Sequence, residues 1–128
     1  MIAVAVLVSA VAAFLASSGY YAAATPIERR ILGDATIDRG RPGPWKVGSE
    51  LVRTVVVAAV FAWLAARAGL DHLPDTVALA ALLWLAFPAV LLTGSILWER
   101  VPPITAAIHA GDWLIKLLLI ATLVATLH

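Results

Sequence analysis

Between His109 and Lys116 the sequence reads HAGDWLIK, an imidazole, a carboxylate and an ammonium at helical spacing. At 100° per residue, Thr105, His109, Asp112 and Lys116 fall within an arc of roughly 60°, a narrow polar stripe on an otherwise apolar helix. Three kinds of chemistry fit these residue types. His109 could act as a base oriented by Asp112, with Lys116 holding an anion. The i, i+3 spacing of His109 and Asp112 also suits two metal ligands. Alternatively, Asp112 and Lys116, at i and i+4 with the acid first, could simply neutralise one another.

Such a stripe has to be positioned by elements that live in lipid. The chain has 128 residues, 62% of them hydrophobic and only 13% charged, against about half apolar and a quarter charged in soluble domains. A span needs about 20 mostly apolar residues to cross about 30 Å of hydrocarbon. Four segments meet that length: residues 2–24, 51–70, 76–98 and 104–127. The expectation is an all-α polytopic membrane protein, four transmembrane helices in a bundle forming a single membrane domain. The first segment lacks the positive n-region of a signal peptide and exceeds the usual apolar core of one, so it reads as a retained span.

Arginine and lysine set the orientation, because cytoplasmic loops are enriched in them. The connection 25–49 carries Arg29, Arg30, Arg39, Arg41 and Lys46, Arg53 follows just inside the second helix, and Arg100 lies in the third connection. The opposite side offers only Arg67, facing the acidic turn DHLPD. Both termini are therefore expected outside the cytoplasm. Within the first loop, PIERRIL fits a short amphipathic helix at the headgroups with Ile27, Ile31 and Leu32 towards lipid. DRGRPGP fits an irregular segment, and Trp45 with Lys46 an interfacial anchor.

This topology brings polar groups from every span to the cytoplasmic half. Ser17, Ser18, Tyr20 and Tyr21 end the first helix, Glu50 and Arg53 begin the second, and Thr93, Ser95, Trp98 and Glu99 end the third. His109, Asp112 and Lys116 complete a candidate polar pocket. Charged groups at membrane depth face inward, are usually paired, and mark function by default. The plainest reading is nonetheless a structural lock made of two separate pairs, Asp112 with Lys116 and Glu50 with Arg53. A ligand or ion site and a catalytic site stand beside it. Small residues recur every four positions at Ala5, Ser9, Ala13 and Ser17 and at Ala58, Ala62 and Ala66, ridges that permit close helix packing within or between chains. Pro88, inside the third span, should kink that helix.

Several classes drop out. Without cysteine there is no disulfide, no thiolate chemistry and no Cys-ligated metal. A metal site on His109 and Asp112 would need Glu50 or Glu99 as well, and Lys116 would oppose the cation, so no metal and no cofactor are expected. A net charge of +1 without a basic, aromatic-interleaved stripe argues against nucleic acid. No Gly-rich phosphate loop, nucleophile elbow or sustained heptad is present.

The stretch LLWLAFPAVLLTGSILWERVPPITAAIHAGDWLIKLLLIATLV, the pattern of Trp45, Lys46, Glu50 and Arg53, and the aromatic pair in SGYY together resemble the domain-of-unknown-function family numbered 1761. The W-E-x-V-P and H-A-G-D-W-L-x-K motifs are its most specific parts, and the resemblance covers nearly the whole chain. A second proline, Pro103, stands where the family often has tryptophan; the change lies in a loop. The resemblance implies a small four-helix bacterial membrane protein and no particular mechanism. An arginine-over-lysine bias with abundant Ala and Val also suits a high-GC bacterium.

Three functions follow as expectations. The first is a small oligomeric carrier or channel of the bacterial cytoplasmic membrane that binds a small polar or anionic ligand in the cytoplasmic-half pocket. The second is an accessory or assembly subunit of a larger membrane complex. The third is a membrane enzyme acting on a lipid-like substrate. The lipid bilayer and further copies of the chain are the expected partners.

Overall fold

A computed structural model describes residues 2–33 and 43–127. Arg39, Arg41, most of the DRGRPGP segment and His128 lie outside the described residues. The described chain is helical, and four helices are long and apolar enough to cross a membrane: α1 (Ile2–Leu32), α2 (Pro44–Arg67), α3 (Leu73–Trp98) and α4 (Pro103–Leu127). The protein is a multi-pass membrane protein.

α1 does not stop at Ala24. It runs 31 residues through Pro26 to Leu32, about 46 Å at 1.5 Å per residue. PIERRIL is thus helical, but as the last two turns of α1 rather than a separate element. Glu, Arg, Ile and Leu sustain a helix well enough to tolerate one proline. Gly33, at φ +57°, provides the left-handed residue that ends it. Arg29 and Arg30 in the final turn oppose the negative end of the helix dipole.

α2 begins at Pro44 rather than Leu51. Proline at the first helical position loses nothing, because that amide has no intrahelical partner, and the amides of Lys46 and Val47 donate to the Gly43 carbonyl at 3.0 and 3.2 Å. Trp45, Lys46 and Glu50 consequently lie on helix. The other end closes before Leu70: Gly69 sits at φ +70°, its amide donates to Ala66 O at 3.2 Å, and the Leu70 amide donates to Ala65 O at 2.9 Å, the paired bonds of a Schellman cap.

α3 carries a π-turn at Leu85–Ala89, around Pro88. The missing proline amide removes one i to i−4 bond and the chain widens locally to accommodate it. The helix ends where Arg100 adopts φ +57° and the Val101 amide reaches back to Ser95 O at 3.2 Å, ahead of the two prolines that open α4.

α4 is the central helix. It packs as extensively on α3 as on α1, and much less on α2, while α2 leans on α1. The shared core joins Ala10 and Ala13 of α1, Ala58, Phe61, Ala62 and Ala65 of α2, Ala80 of α3, and Leu117, Ile120, Ala121 and Val124 of α4. Ala5, Ser9, Ala13 and Ser17 are all buried within the chain, so the α1 ridge is not a surface left for another copy. On α2 the ridge is Ala58, Ala62 and Ala65; Ala66 is exposed. α3 is the least covered helix, with 6% of its most apolar window buried.

Candidate functional site

The stripe on α4 is where the other three helices converge. Tyr20 and Tyr21, consecutive on α1, grip successive residues of α4. The Tyr20 hydroxyl donates to the Ile108 carbonyl at 2.8 Å, and the Tyr21 hydroxyl lies 2.6 Å from His109 Nδ1. Gly111 leaves room for this approach, since a Cβ there would collide with the Tyr20 hydroxyl. From α3, the Trp84 indole donates to the Ala110 carbonyl at 2.7 Å.

α2 contributes charge. Lys116 Nζ lies 3.0 Å from Glu50 Oε1 and 3.1 Å from Asp112 Oδ2, and 4.6 Å from the centre of the Trp113 ring. Glu50 uses its second oxygen for Arg53 Nη1, at 2.7 Å. The two pairs anticipated separately, Asp112 with Lys116 and Glu50 with Arg53, are therefore one chain: Asp112, Lys116, Glu50, Arg53. Side chains in a helix tilt towards its N-terminus, and α2 and α4 both start at the arginine-bearing end. Lys116, although deep in α4, accordingly reaches back to Glu50 in the second turn of α2.

This chain is buried at one end and open at the other. Lys116 is 1% and Asp112 3% exposed, whereas the side chain of Glu50 is 35% and that of Arg53 60% exposed. Burying charges is costly unless each is paired and its remaining valences are met. Asp112 Oδ1 is buried with no hydrogen-bond partner. Its residue lines an open cavity of about 670 Å³ between α1, α2 and α4, together with Ser17, Ser18, Tyr21, Lys46, Glu50, Arg53, His109, Trp113 and Lys116.

Of the residues singled out from sequence, Tyr21, Glu50, Arg53, His109, Asp112 and Lys116 meet around this cavity, with Tyr20 bracing it from behind through Ile108. Ser95 and Glu99 do not join them. The Ser95 hydroxyl donates to Leu91 O of its own helix at 3.2 Å. Both residues line a second cavity of about 440 Å³ with Glu28, Arg100 and Thr105, and His109 borders both spaces. α3 is held at Trp84, about four turns before Glu99, so its last turn lies beside the N-terminus of α4 rather than over the Lys116 region.

Sequence reading missed Trp113, Trp84, Gly111 and the buried Glu28 as parts of this region, and took Lys46 for an anchor alone. Trp113 was the most findable, as the residue after Asp112 and one turn before Lys116. Trp84 and Gly111 act through contacts across helices, which no local pattern encodes. Among the described residues no group of three or more His, Cys, Asp or Glu could hold a metal ion. The position between Glu50 and Asp112, where a cation would be attracted, is filled by the Lys116 ammonium.

No curated protein and no solved structure matches the chain. A family model does, described as a protein of unknown function (DUF1761), over residues 4–125. With that match spanning all four helices and the whole of the polar cavity, the chain belongs to the DUF1761 family.

Proposed function

We propose that this protein binds a small polar or anionic ligand in the cavity at the arginine-bearing end, as the cytoplasmic mouth of a small carrier or channel. In this reading the four helices form a bundle in a bacterial cytoplasmic membrane with both termini outside, placing Arg29, Arg30, Lys46 and Arg100 on the cytoplasmic face. One observation carries the proposal: a charge chain that is buried at Lys116 and Asp112, yet opens through Glu50 and Arg53 onto a cavity that all four residues line. A purely structural lock would bury the whole charge chain. A homo-oligomer is the natural assembly, with α3 as the face left to join copies.

The same bare face of α3 favours a second reading, an accessory subunit docked by α3 on a larger membrane protein. A membrane enzyme has less support, because His109 Nδ1 is engaged by the Tyr21 hydroxyl. The test is native mass spectrometry of the protein released from its native membrane in nanodiscs. Wild-type chains are expected to retain a bound molecule that is depleted in Lys116→Met, in copies of defined number. Wild-type chains that emerge empty would overturn the binding reading, and co-release with a larger protein would favour the accessory one.

A further inference from the structure

Beside the polar cavity lies a second, apolar space. α2 and α3 both flank α4 without packing extensively on each other. Between them runs a groove of about 660 Å³, lined by Val57, Val60, Leu64, Phe87, Pro88 and Leu117 and bordered by Arg53 and Trp113. Phe87 and Pro88 belong to the π-turn Leu85–Ala89, a local widening of the kind that recurs at functional sites. Arg53 and Trp113 also line the polar cavity, so the two spaces adjoin at a guanidinium and an indole. From Arg53 to Leu64 the groove follows α2 for about 16 Å, close to the depth of one leaflet of a hydrocarbon core of about 30 Å.

We propose that an anionic glycerophospholipid whose headgroup adds no cation, of the phosphatidylglycerol type, occupies both spaces. Its phosphodiester lies between Lys46 and Arg53 at the mouth of the polar cavity, and one acyl chain lies in the groove between α2 and α3. The assignment rests on the polar-ligand reading above and narrows it. Among the described residues lining the polar cavity, the cations Lys46, Arg53 and Lys116 outnumber the carboxylates Glu50 and Asp112, so the site carries net positive charge. The carboxylates are already committed. Glu50 gives one oxygen to Lys116 and the other to Arg53, while Asp112 gives Oδ2 to Lys116 and its Oδ1 is sealed from solvent. The outer cations are accessible. Lys46 and Arg53 are both exposed, seven residues apart and therefore on one face of α2, and Glu50 takes only Nη1 of the guanidinium. The other guanidinium N–H groups and the Lys46 ammonium can donate to an oxyanion, whereas a headgroup ammonium would meet net like charge. The hydroxyls of Ser17 and Ser18 on the α1 wall suit an uncharged polyol.

The experiment places the purified protein in nanodiscs of equal parts dioleoylphosphatidylglycerol and dioleoylphosphatidylethanolamine, whose chains are identical, and identifies the lipid retained on release by native mass spectrometry. The glycerol lipid should exceed the ethanolamine lipid by about tenfold, the order of the repulsion that one added cation meets at contact distance in a partly exposed site. That preference should vanish when Lys46→Gln and Arg53→Gln are combined, a variant that leaves Lys116 facing two carboxylates and changes no core residue. Val60→Trp, at an exposed position of the groove, should lose most retention of both lipids with an unchanged helical circular-dichroism spectrum. Equal retention of the two lipids by the wild type, a preference that survives the double variant, or full retention by Val60→Trp would overturn the assignment. Release of the wild type from its native membrane separates the lipid from the polar-ligand reading beneath it. Phosphatidylglycerol should come off with the chain. A small non-lipid anion in its place would overturn the lipid and leave the polar-ligand reading standing. Chains that emerge with neither would overturn both.

Discussion

Lys116 is an ammonium held between two carboxylates, 3.0 Å from Glu50 and 3.1 Å from Asp112, with an indole face beneath it. Its value to the fold is best judged by what its loss would leave. In Lys116→Met the two carboxylates face one another with Arg53 as their nearest counter-ion, and removing one partner of a buried ion pair costs about 3–5 kcal/mol. The lower end applies here, since a third of the Glu50 side chain is exposed. Combining Lys116→Met with Glu50→Gln and Asp112→Asn removes the stranded charges too, and should recover more than half of the loss. Denaturant titration of the detergent-solubilised variants, followed by circular dichroism, reads both effects. A triple variant no more stable than Lys116→Met alone would show that the ammonium is not acting as a counter-ion.

Small residues decide which helices can come together. Every four-residue step along a helix rotates the side chain by about 40°, so a straight ridge drifts off a single contact line. On α2 the drift is corrected by a three-residue step, and the buried position passes to Ala65 while Ala66 turns outward. On α1 the ridge from Ala5 to Ser17 stays buried throughout, because α1 packs against both α2 and α4 and has contacts on either side of the drift. Ala13 is fully buried in that seam and Leu15 is 63% exposed. Ala13→Leu is therefore expected to destabilise the packed helices by about 1–3 kcal/mol, while Leu15→Ala leaves the unfolding midpoint within experimental error. Equal midpoints for the two variants would remove the ridge from its packing role.

At the scale of the whole molecule, the polar cavity, the charge chain and most cationic residues share one end of the helices. A membrane orientation with that end in the cytoplasm predicts distinct labelling of introduced cysteines, in a chain that has none of its own. Asp71→Cys, in the α2–α3 turn, should react with a membrane-impermeant maleimide in intact cells. Ile31→Cys, near the end of α1, should react only after permeabilisation; the reverse pattern would invert the orientation. The lipid character of the chain and its four long helices were legible without coordinates, because apolar run length and proline and glycine punctuation act locally. So was the α4 stripe, since the 3.6-residue period alone puts His109, Asp112 and Lys116 on one face. Helix ends were less legible: Pro44 and Pro26 each fit a helix or a break, and capping bonds and neighbouring turns chose between them. What only the tertiary structure decided is which residue meets which. That Lys116 bridges Asp112 to Glu50, that Tyr20 sits over Gly111, that Ser95 and Glu99 border a different cavity, and that an apolar groove opens at Arg53 all depend on the relative rotation and depth of separate helices. Those quantities are set by packing across the whole interface, and no single segment of sequence carries them.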